Sequence, residues 1–399
     1  MAAWALQLPP PPQILRSATR RDPDHGSEHA DEGVGVKVKQ VVRSVPKPKT
    51  LCSLQSGRHA AGVLLARSAQ AVGFRIPAAL AAVCLAGAGA AATGNPASYS
   101  VPVSCDRGCL KVLLDQTLDA MAANDISQLP LASDVKATEN GVERALWDGL
   151  WRTANARGRY RITVVDAEAG QAGFVGTMME DGRPVYIALR IAVREQKIGE
   201  IETVVARGGT AGPSVTSPGA KIEEIGRPRP QFQRNVAERE RMPREELVRV
   251  ADAYFANLQG STGKTSAPFA KGCERIENGG QTTNLKTVRP GRERFDALTL
   301  GCEGQQLSGF YAFVTGIRNR RYPIVDRERQ LVLSFSYWDH TGAVKDLVLT
   351  NGLTVPSPFR APLTFQVAEL FQIDAGKHDQ IEAVINTVPY GMRSDVWDK

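Results

Sequence analysis

The feature that most constrains this chain is an internal duplication. Three segments of its first half recur in the same order in its second half. Residues 130–141 align with 268–279 at an offset of 138, and residues 165–168 align with 325–328 at an offset of 160. Residues 197–205 align with 377–385 at an offset of 180. Because the offset only increases, the second copy is collinear with the first and carries insertions around 285–308 and 341–364. Such self-similarity predicts two domains of the same fold.

Each copy is predicted to start with an amphipathic helix, because apolar residues recur at helical spacing from Leu110 to Met121 and from Leu247 to Leu258. An acidic turn and a short helix follow. Four strands then close each copy: 160–166, 173–179, 185–193 and 198–205 in the first, and 322–325, 331–338, 363–371 and 378–388 in the second. Long helices followed by an antiparallel meander predict the α+β class. The predicted domains are 104–207 and 244–392, and the segment 208–243, rich in glycine, proline and charge, is the predicted linker.

The beginning of the chain is predicted to lie outside these domains. Residues 1–71 combine a proline run with charged patches and few periodic apolar positions, a composition that predicts disorder. Residues 72–92 hold a short basic stretch, an apolar stretch and small residues that fit a cleavage site, which is the pattern of a secretory signal peptide. Since signal peptides begin at the start codon, we interpret 1–71 as a misassigned translation start; an unusual export leader or an uncleaved anchor is the alternative. The predicted location is the periplasm or the medium, with no membrane attachment after cleavage.

The net charge of +7 does not predict a nucleic-acid partner. Residues 1–92 hold 11 basic and 5 acidic residues, a balance of +6, whereas the remainder holds 38 and 37, a balance of +1. The body of the chain therefore has almost no excess of cations with which to neutralise a phosphate backbone.

The cysteines agree with export. Four lie beyond the predicted signal peptide: Cys105, Cys109, Cys273 and Cys302. Four cysteines allow three pairings, and we favour Cys105–Cys109 with Cys273–Cys302 because each bridge then stays within one repeat. Zinc binding is the competing interpretation, but one Cys-x3-Cys and two distant cysteines match a zinc site poorly, and exported chains favour disulfides.

Several stretches resemble a known superfamily. They are Asp148-Gly-Leu-Trp-x-Thr-Ala154, Lys197-Ile-x-Glu-Ile-Glu-Thr-Val-Val-Ala-Arg207, Glu277-Asn-Gly-x-x-Thr-Thr-Asn284 and Arg320-Arg-Tyr-Pro-x-Val-Asp326. Over about 104–390, the chain resembles tandem SnoaL-like/NTF2-like proteins, and in particular a secreted family of unassigned function from bacteria and filamentous fungi. The resemblance implies two cone-shaped domains, each a curved antiparallel sheet with helices around an apolar pocket, that pack against each other as the superfamily's dimers do.

The superfamily includes isomerases, cyclases, dehydratases and epoxide hydrolases as well as non-catalytic binding modules, so the fold alone does not define the function. Its enzymes place carboxylates or a His–Asp pair in the pocket. By this resemblance Glu139 is the first catalytic candidate, because it falls where ketosteroid isomerases carry a general-base Asp, and Glu277 is its equivalent in the second copy. Both are followed by Asn-Gly, a strong turn sequence. The alternative is that both carboxylates accept backbone N–H bonds and hold the loop in place.

A second catalytic candidate is the pair Asp339 and His340, which supplies a base and a carboxylate next to Trp338. The alternative is an exposed turn, because the segment aligns with a hairpin turn of the first copy and precedes Thr341-Gly342. Neighbours on a strand also point to opposite faces, so Asp339 is poorly placed to orient His340. His378 is predicted to lie in another turn.

Five residues are candidates for ligand binding. Trp147, Trp151 and Tyr160 flank the first domain's short helix and are predicted either to line the pocket or to pack in the core. Arg321 and Tyr322 lie in a charged stretch before a strand, which predicts either capture of an anionic group or a solvated face of ion pairs.

These observations favour an exported protein that binds a small, largely apolar molecule. The alternative is a lyase, isomerase or hydrolase that uses Glu139 as general base. Neither hypothesis requires a cofactor or a metal ion, and the expected partners are a small ligand and, within the chain, the other domain.

Overall fold

A computed structural model describes residues 105–208 and 217–398. The predicted disordered segment 1–71 and signal peptide 72–92 lie outside these residues. The described chain is α+β, as predicted, with two six-stranded sheets and a few helices.

The first domain contains two helices and six strands. In chain order they are α1 (Arg107–Ala123), β1 (Leu131–Glu139), β2 (Val142–Glu143), α2 (Leu150–Thr153), β3 (Ala154–Asp166), β4 (Gln171–Glu180), β5 (Arg183–Arg194) and β6 (Lys197–Ala206). Helix α1 begins after Asp106, whose side chain accepts a hydrogen bond from the backbone N–H of Cys109 (2.8 Å) and caps the first turn.

The second domain repeats this order with additions. Its elements are α4 (Arg244–Leu258), β7 (Phe269–Glu277), β8 (Gly280–Gln281), α5 (Cys302–Leu307), β9 (Gly316–Asp326), β10 (Leu331–His340), β11 (Asp346–Val348), β12 (Thr354–Pro356), β13 (Leu363–Asp374) and β14 (Lys377–Val388). The predicted insertions hold α5, two 3-10 turns near it and the β11–β12 hairpin.

The two sheets have the same strand order. It is β2-β1-β6-β5-β4-β3 in the first domain and β8-β7-β14-β13-β10-β9 in the second. The prediction of a purely antiparallel meander is wrong in one respect, because β1 pairs in parallel with β6, and β7 with β14. The sequence reading missed β1 and β7 because their alternation of apolar and polar residues is weak. The predicted turns are correct: Asn140-Gly141 and Asn278-Gly279 both have positive φ.

Each sheet buries one face beneath its own helices. In the first domain the apolar stripe of α1, including Leu110, Leu114 and Leu118, packs on this face. In the second domain Leu247, Val250 and Phe255 of α4 do the same. The helices predicted from apolar spacing thus cover the outer face of each sheet.

The opposite faces of the two sheets pack against each other. Their shared core combines Tyr186, Val204 and Val175 of the first domain with Leu333, Leu370 and Val384 of the second, among others. The predicted linker also contributes side chains to this core. Its helix α3 (Pro218–Ile225) and a 3-10 turn at Pro230–Gln233 place Ile222 and Phe232 in this shared core, because apolar side chains occur among its many polar residues.

A reciprocal pair of carboxylates joins the two sheets. Asp326 of the second domain accepts a hydrogen bond from the N–H of Val165 in the first (3.1 Å), and Asp166 accepts one from the N–H of Val325 (2.8 Å). Each carboxylate also binds the arginine that starts a long helix: Arg107 binds Asp326, and Arg244 binds Asp166. These residues are equivalent in the duplication, so the two halves are related by a local pseudo-twofold axis.

Both predicted disulfides are confirmed. Cys105 is bonded to Cys109 and Cys273 to Cys302. The second bridge connects β7 to α5 and therefore ties an inserted helix to the sheet. No helix in the described residues has the length and apolar character needed to cross a membrane.

Candidate functional site

The second domain buries a row of polar positions across its sheet. Glu277 on β7 pairs with Ala383 on β14, which pairs with Glu369 on β13, which in turn pairs with Ser334 on β10. Residues in register on neighbouring strands point to the same face, and here it is the face beneath α4. With Arg275, also on β7, Tyr254 on α4, and Gln305 and Tyr311 from the inserted segment, Glu277 and Glu369 form what we call the second-domain polar cluster.

Arg275 lies at the centre of this cluster and is fully buried. Its guanidinium donates to Thr282 Oγ1 (3.0 Å), to the Tyr254 hydroxyl (3.0 Å), to Gln305 Oε1 (2.8 Å) and to the Tyr311 hydroxyl. Its Nε lies 3.1 Å from Glu277 Oε1, so the buried positive charge has a carboxylate counter-ion. A buried cation needs such partners because desolvation alone is strongly unfavourable.

Gln305 and Tyr311 hold the arginine in place. Gln305 donates from Nε2 to the backbone oxygens of Thr282 and Ala297, while its Oε1 accepts from both Arg275 and the Tyr311 hydroxyl (2.6 Å). Burial raises the pKa of Tyr311 to about 12, so its hydroxyl stays protonated and can donate. The cluster is thus a fixed hydrogen-bond network rather than a set of mobile side chains.

Glu369 is different from the other members of the cluster. Its side chain is fully buried, and neither carboxyl oxygen makes a well-formed hydrogen bond with a described residue, although the Tyr254 hydroxyl lies near enough to lower its pKa. Burial raises the pKa of Glu369 to about 8; Arg275 nearby opposes the rise, and Glu277 contributes to it. At neutral pH this carboxyl is therefore largely protonated, and it can both donate and accept a hydrogen bond.

Aromatic rings surround the polar cluster. The ring of Phe371 lies 5.2 Å from that of Tyr254 and 5.4 Å from that of Phe255, and Phe255 lies 5.8 Å from Trp338, each in an edge-on arrangement. A polar group in such surroundings experiences a low effective dielectric, which strengthens any hydrogen bond that it makes.

The first domain has no equivalent cluster. Its corresponding row across the sheet is Glu139, Thr203, Leu189 and Phe174, so Leu189 occupies the position of Glu369. Ala137 stands where the second domain has Arg275, and Thr117 of α1, which bonds within its own helix, stands where α4 has Tyr254. The first domain therefore has apolar side chains in place of Arg275, Glu369 and Ser334.

Glu139, the first catalytic candidate, is engaged in holding the local backbone. Its Oε2 accepts from the N–H of Leu150 at the start of α2 (2.6 Å), and its Oε1 receives Arg207 Nη1 (2.7 Å). Gly149 is required beside it, because φ there is +59° and a Cβ would lie 2.3 Å from Glu139 Oε2. Glu139 thus accepts a backbone N–H bond and holds the loop in place, which is the alternative to a catalytic role. Glu277, by contrast, faces the interior.

The expectation that His340 lies in an exposed turn is wrong. His340 is the last residue of β10 and is fully buried, because the inserted segment folds back and places Phe359 against its ring at 4.6 Å. Its Nδ1 lies 3.3 Å from the backbone oxygen of Phe313, and its Nε2 has no partner among the described residues. Asp339 points away and binds Arg318 and Thr364, so the two do not form a catalytic pair. Burial lowers the pKa of His340 to about 4.

His378 is also buried rather than in a turn, because β14 begins one residue before it. Its Nε2 lies 2.9 Å from the backbone oxygen of Val250, and its ring contacts Phe371. Burial lowers the pKa of His378 to about 4, so it is neutral at physiological pH and packs beneath α4.

The aromatic candidates of the first domain lie in three different environments and do not line a common pocket. Trp147 is 71% exposed and lines no interior, whereas Trp151 is buried in the first-domain core. Tyr160 faces the second sheet instead of its own domain's interior, and its hydroxyl donates to Glu382 on β14. Tyr186 also donates to Glu382 (3.1 Å), and burial raises the pKa of Glu382 to about 7.

Arg321 and Tyr322 also point in different directions. Arg321 crosses to the first domain and binds Glu202 between the sheets, while the Tyr322 hydroxyl donates to Asp252 of α4 (2.5 Å). The register between β9 and β10 shifts at a β-bulge here, so these two side chains do not point in the same directions as their equivalents in the first copy. Both side chains therefore serve contacts within the chain.

Sequence reasoning missed Arg275, Glu369, Tyr254, Gln305 and Tyr311. One signal was available for Glu369: on β13 the alternate residues Phe365, Val367, Phe371 and Ile373 are apolar and buried, and Glu369 interrupts this face. No group of His, Cys, Asp and Glu residues within 105–208 and 217–398 is arranged to hold a metal ion.

One known family matches part of the chain. Residues 240–385 match the family described as a domain of unknown function, DUF8021. The match covers less than half of the chain, and it includes every member of the second-domain polar cluster. No curated protein matches the chain.

Proposed function

We propose that this chain is an exported protein that binds a small, largely apolar molecule in the interior of its second domain. The observation that carries the proposal is Glu369, a fully buried carboxyl that makes no well-formed hydrogen bond in the described chain and has only the nearby Tyr254 hydroxyl to lower its pKa by hydrogen bonding. Buried polar atoms are usually paired, so a buried carboxyl without a well-formed bond calls for an explanation. A ligand hydroxyl, amine or carbonyl supplies the missing partner, and the surrounding rings contact its apolar body.

The first domain supports this assignment by contrast. At the same position it carries Leu189, so the fold does not need a carboxyl there. Replacing an unpaired buried polar group with a hydrocarbon side chain is usually stabilising. Keeping Glu369 is therefore explained by a role in binding rather than in folding.

The fold supports an NTF2-like assignment. Each sheet has one face beneath its helices and the other against its partner sheet, and the resemblance implies that ligands bind on the helix-covered side. The two disulfides support export, because such bonds persist in oxidising compartments.

The test is a thermal-shift screen at pH 6 of the disulfide-intact protein with neutral cyclic alcohols, phenols and their parent hydrocarbons. We expect the hydroxylated compounds to raise the melting temperature more than the hydrocarbons do. In Glu369→Leu this preference should disappear, while the unliganded melting temperature rises. Leu189→Met, the matched control in the first domain, should respond like the parent. A panel that fails to stabilise the parent, or a Glu369→Leu variant that keeps the preference, contradicts the proposal.

A second candidate function is cofactor-independent acid–base catalysis in the same place. The observation that favours it is the proximity of a carboxyl that titrates near neutral pH to the buried Arg275, an arrangement suited to moving a proton and stabilising negative charge. Glu139 is a weaker general base because Leu150 and Arg207 occupy its oxygens. If the chain is an enzyme, Glu369→Gln should abolish turnover but retain ligand binding, and Glu139→Gln should keep its activity.

A further inference from the structure

A groove that is separate from the second-domain polar cluster lies at the edge of the contact between the two sheets. It is a groove of about 310 Å³ between the start of α1, strand β3, the 3-10 turn at Pro230–Gln233 and the turn between β9 and β10. Four cationic side chains line it: Arg107, Lys111, Arg161 and Arg329. No carboxylate lines it, and Ile162, Val165 and Phe232 lie beneath the cationic side chains, almost fully buried.

Three of the four cations are uncompensated. Arg107 is paired with Asp326 and Glu328. Lys111, Arg161 and Arg329 have no ion pair with any described residue. Two of them are instead held by backbone oxygens: Arg161 Nε donates to Gly158 (2.8 Å), and Arg329 Nη1 donates to Thr163 (3.1 Å). These bonds fix the guanidinium groups without neutralising their charge.

The duplication shows that this charge is local. Val248 and Ala169 stand at the positions equivalent to Lys111 and Arg329, and Arg321, the equivalent of Arg161, is neutralised by Glu202. An adjacent groove of about 170 Å³ is lined by four carboxylates and three arginines, so it compensates its own charge. Only the larger of these two grooves has an excess of positive charge.

We propose that this groove binds an organic anion, a carboxylate or sulfonate with a compact apolar body. The anionic group contacts Lys111, Arg161 and Arg329, because arginine and lysine form charge-assisted hydrogen bonds with such oxygens. The apolar body packs against the aliphatic parts of these long side chains, which cover Ile162 and Phe232. The volume is at the lower end of the range of small-molecule sites. This site is independent of Glu369 and of the function proposed above.

The test is isothermal titration calorimetry of the disulfide-intact chain at low salt with naphthalene-2-sulfonate, compared with its neutral analogue naphthalene-2-sulfonamide. We expect one site for the sulfonate and binding of the sulfonamide that is about tenfold weaker or undetectable. In the double variant Lys111→Gln/Arg161→Gln, the Kd for the sulfonate should rise about tenfold or more, since two charge-assisted hydrogen bonds to the anionic group are lost. Both side chains are exposed, so the variant should retain the parent's melting temperature.

The matched control is Arg183→Gln/Arg194→Gln, which removes two exposed arginines elsewhere on the first domain. It should bind the sulfonate as the parent does. The proposal is overturned if the sulfonate does not bind, if the sulfonamide binds equally well, or if the groove variant and the control variant behave alike. Glu369→Leu should leave this binding unchanged, which separates the two sites.

Discussion

The two domains have the same strand order and the same contact surface, but they differ in what they enclose. Beneath α1 the first domain packs Ala137, Leu189 and Phe174, whereas beneath α4 the second packs Arg275, Glu369 and Ser334 at the equivalent positions. The reciprocal carboxylates between the sheets, by contrast, are the same in both halves. The duplication thus preserved the outer scaffold and the sheet contact, and the interiors diverged.

The difference also explains where the insertions lie. Gln305 and Tyr311, two partners of Arg275, come from the segment that only the second domain has. The Cys273–Cys302 disulfide attaches this segment to the strand that carries Arg275. A buried charge needs additional donors and acceptors, and the second domain supplies them with additional chain.

The largest expected effect comes from removing the centre of the polar cluster. Arg275→Met should lower the free energy of unfolding by about 3–5 kcal/mol, because it leaves buried hydroxyl, amide and carboxylate groups without their shared donor. Urea denaturation measures this, with Arg194→Met, whose side chain is 77% exposed, as the control that should change by about 0.5 kcal/mol or less. A loss below about 1 kcal/mol for Arg275→Met would show that the two interiors do not differ in the way described.

The two disulfides should also differ in their effects. Loop-closure entropy predicts that removing Cys273–Cys302, with a separation of 29 residues, lowers stability by about 3.5 kcal/mol, and removing Cys105–Cys109, with a separation of 4, by about 2 kcal/mol. The paired variants Cys273→Ala/Cys302→Ala and Cys105→Ala/Cys109→Ala, compared by urea denaturation, measure the difference. Equal losses would argue that the second bridge has no special role in holding the inserted segment.

A smaller effect is expected from pH, and the buried carboxyls and histidines that dominate it between about pH 4 and pH 8 belong to the second half of the chain. Glu369 and Glu382 have pKa values raised to about 8 and about 7, so the folded state keeps protons that the unfolded state loses above about pH 4.5. Their contribution to stability is complete below that pH and is lost as pH rises towards 8. His340 and His378, with pKa values lowered to about 4, act in the opposite direction, and their contribution is lost as pH falls from 6.5 to 4.

Stability should therefore be greatest near pH 5–6 and fall by about 2 kcal/mol between pH 6 and pH 8. Urea denaturation at a series of pH values measures the profile. Glu369→Gln/Glu382→Gln should flatten the alkaline side, whereas Glu139→Gln in the first domain should not. A parent profile that is flat from pH 6 to pH 8 would contradict the assignment of these buried carboxyls.

Much of the fold follows from local patterns. The long helices, four strands of each copy, the Asn-Gly turns and the disulfides are encoded by short-range spacing or by the repeat itself. Strands β1 and β7 are not, since each is recognised only through its parallel pairing with the last strand of its domain. Only the folded chain brings these strands together, and the burial of β1 is too irregular to show a period of two.

The candidate site was harder to predict. Glu277 was identified by position, but Arg275 has as its equivalent an alanine, so the repeat gave no reason to single it out. His340 was placed in a turn because its counterpart ends a hairpin, whereas the insertion with Phe359 buries it. Divergent positions and inserted segments are where a repeat-based prediction has least information, and here they are the positions that form the site.

The exchanged bonds of Asp166 and Asp326 have a practical consequence for anyone dividing this chain. A fragment confined to residues 240–385 would contain Asp326 but not the amide of Val165 that it accepts from, and would expose Leu333, Leu370 and Val384 to solvent. Such a fragment exposes a contiguous apolar surface and should therefore self-associate. The smallest sensible expression boundary therefore encloses both halves.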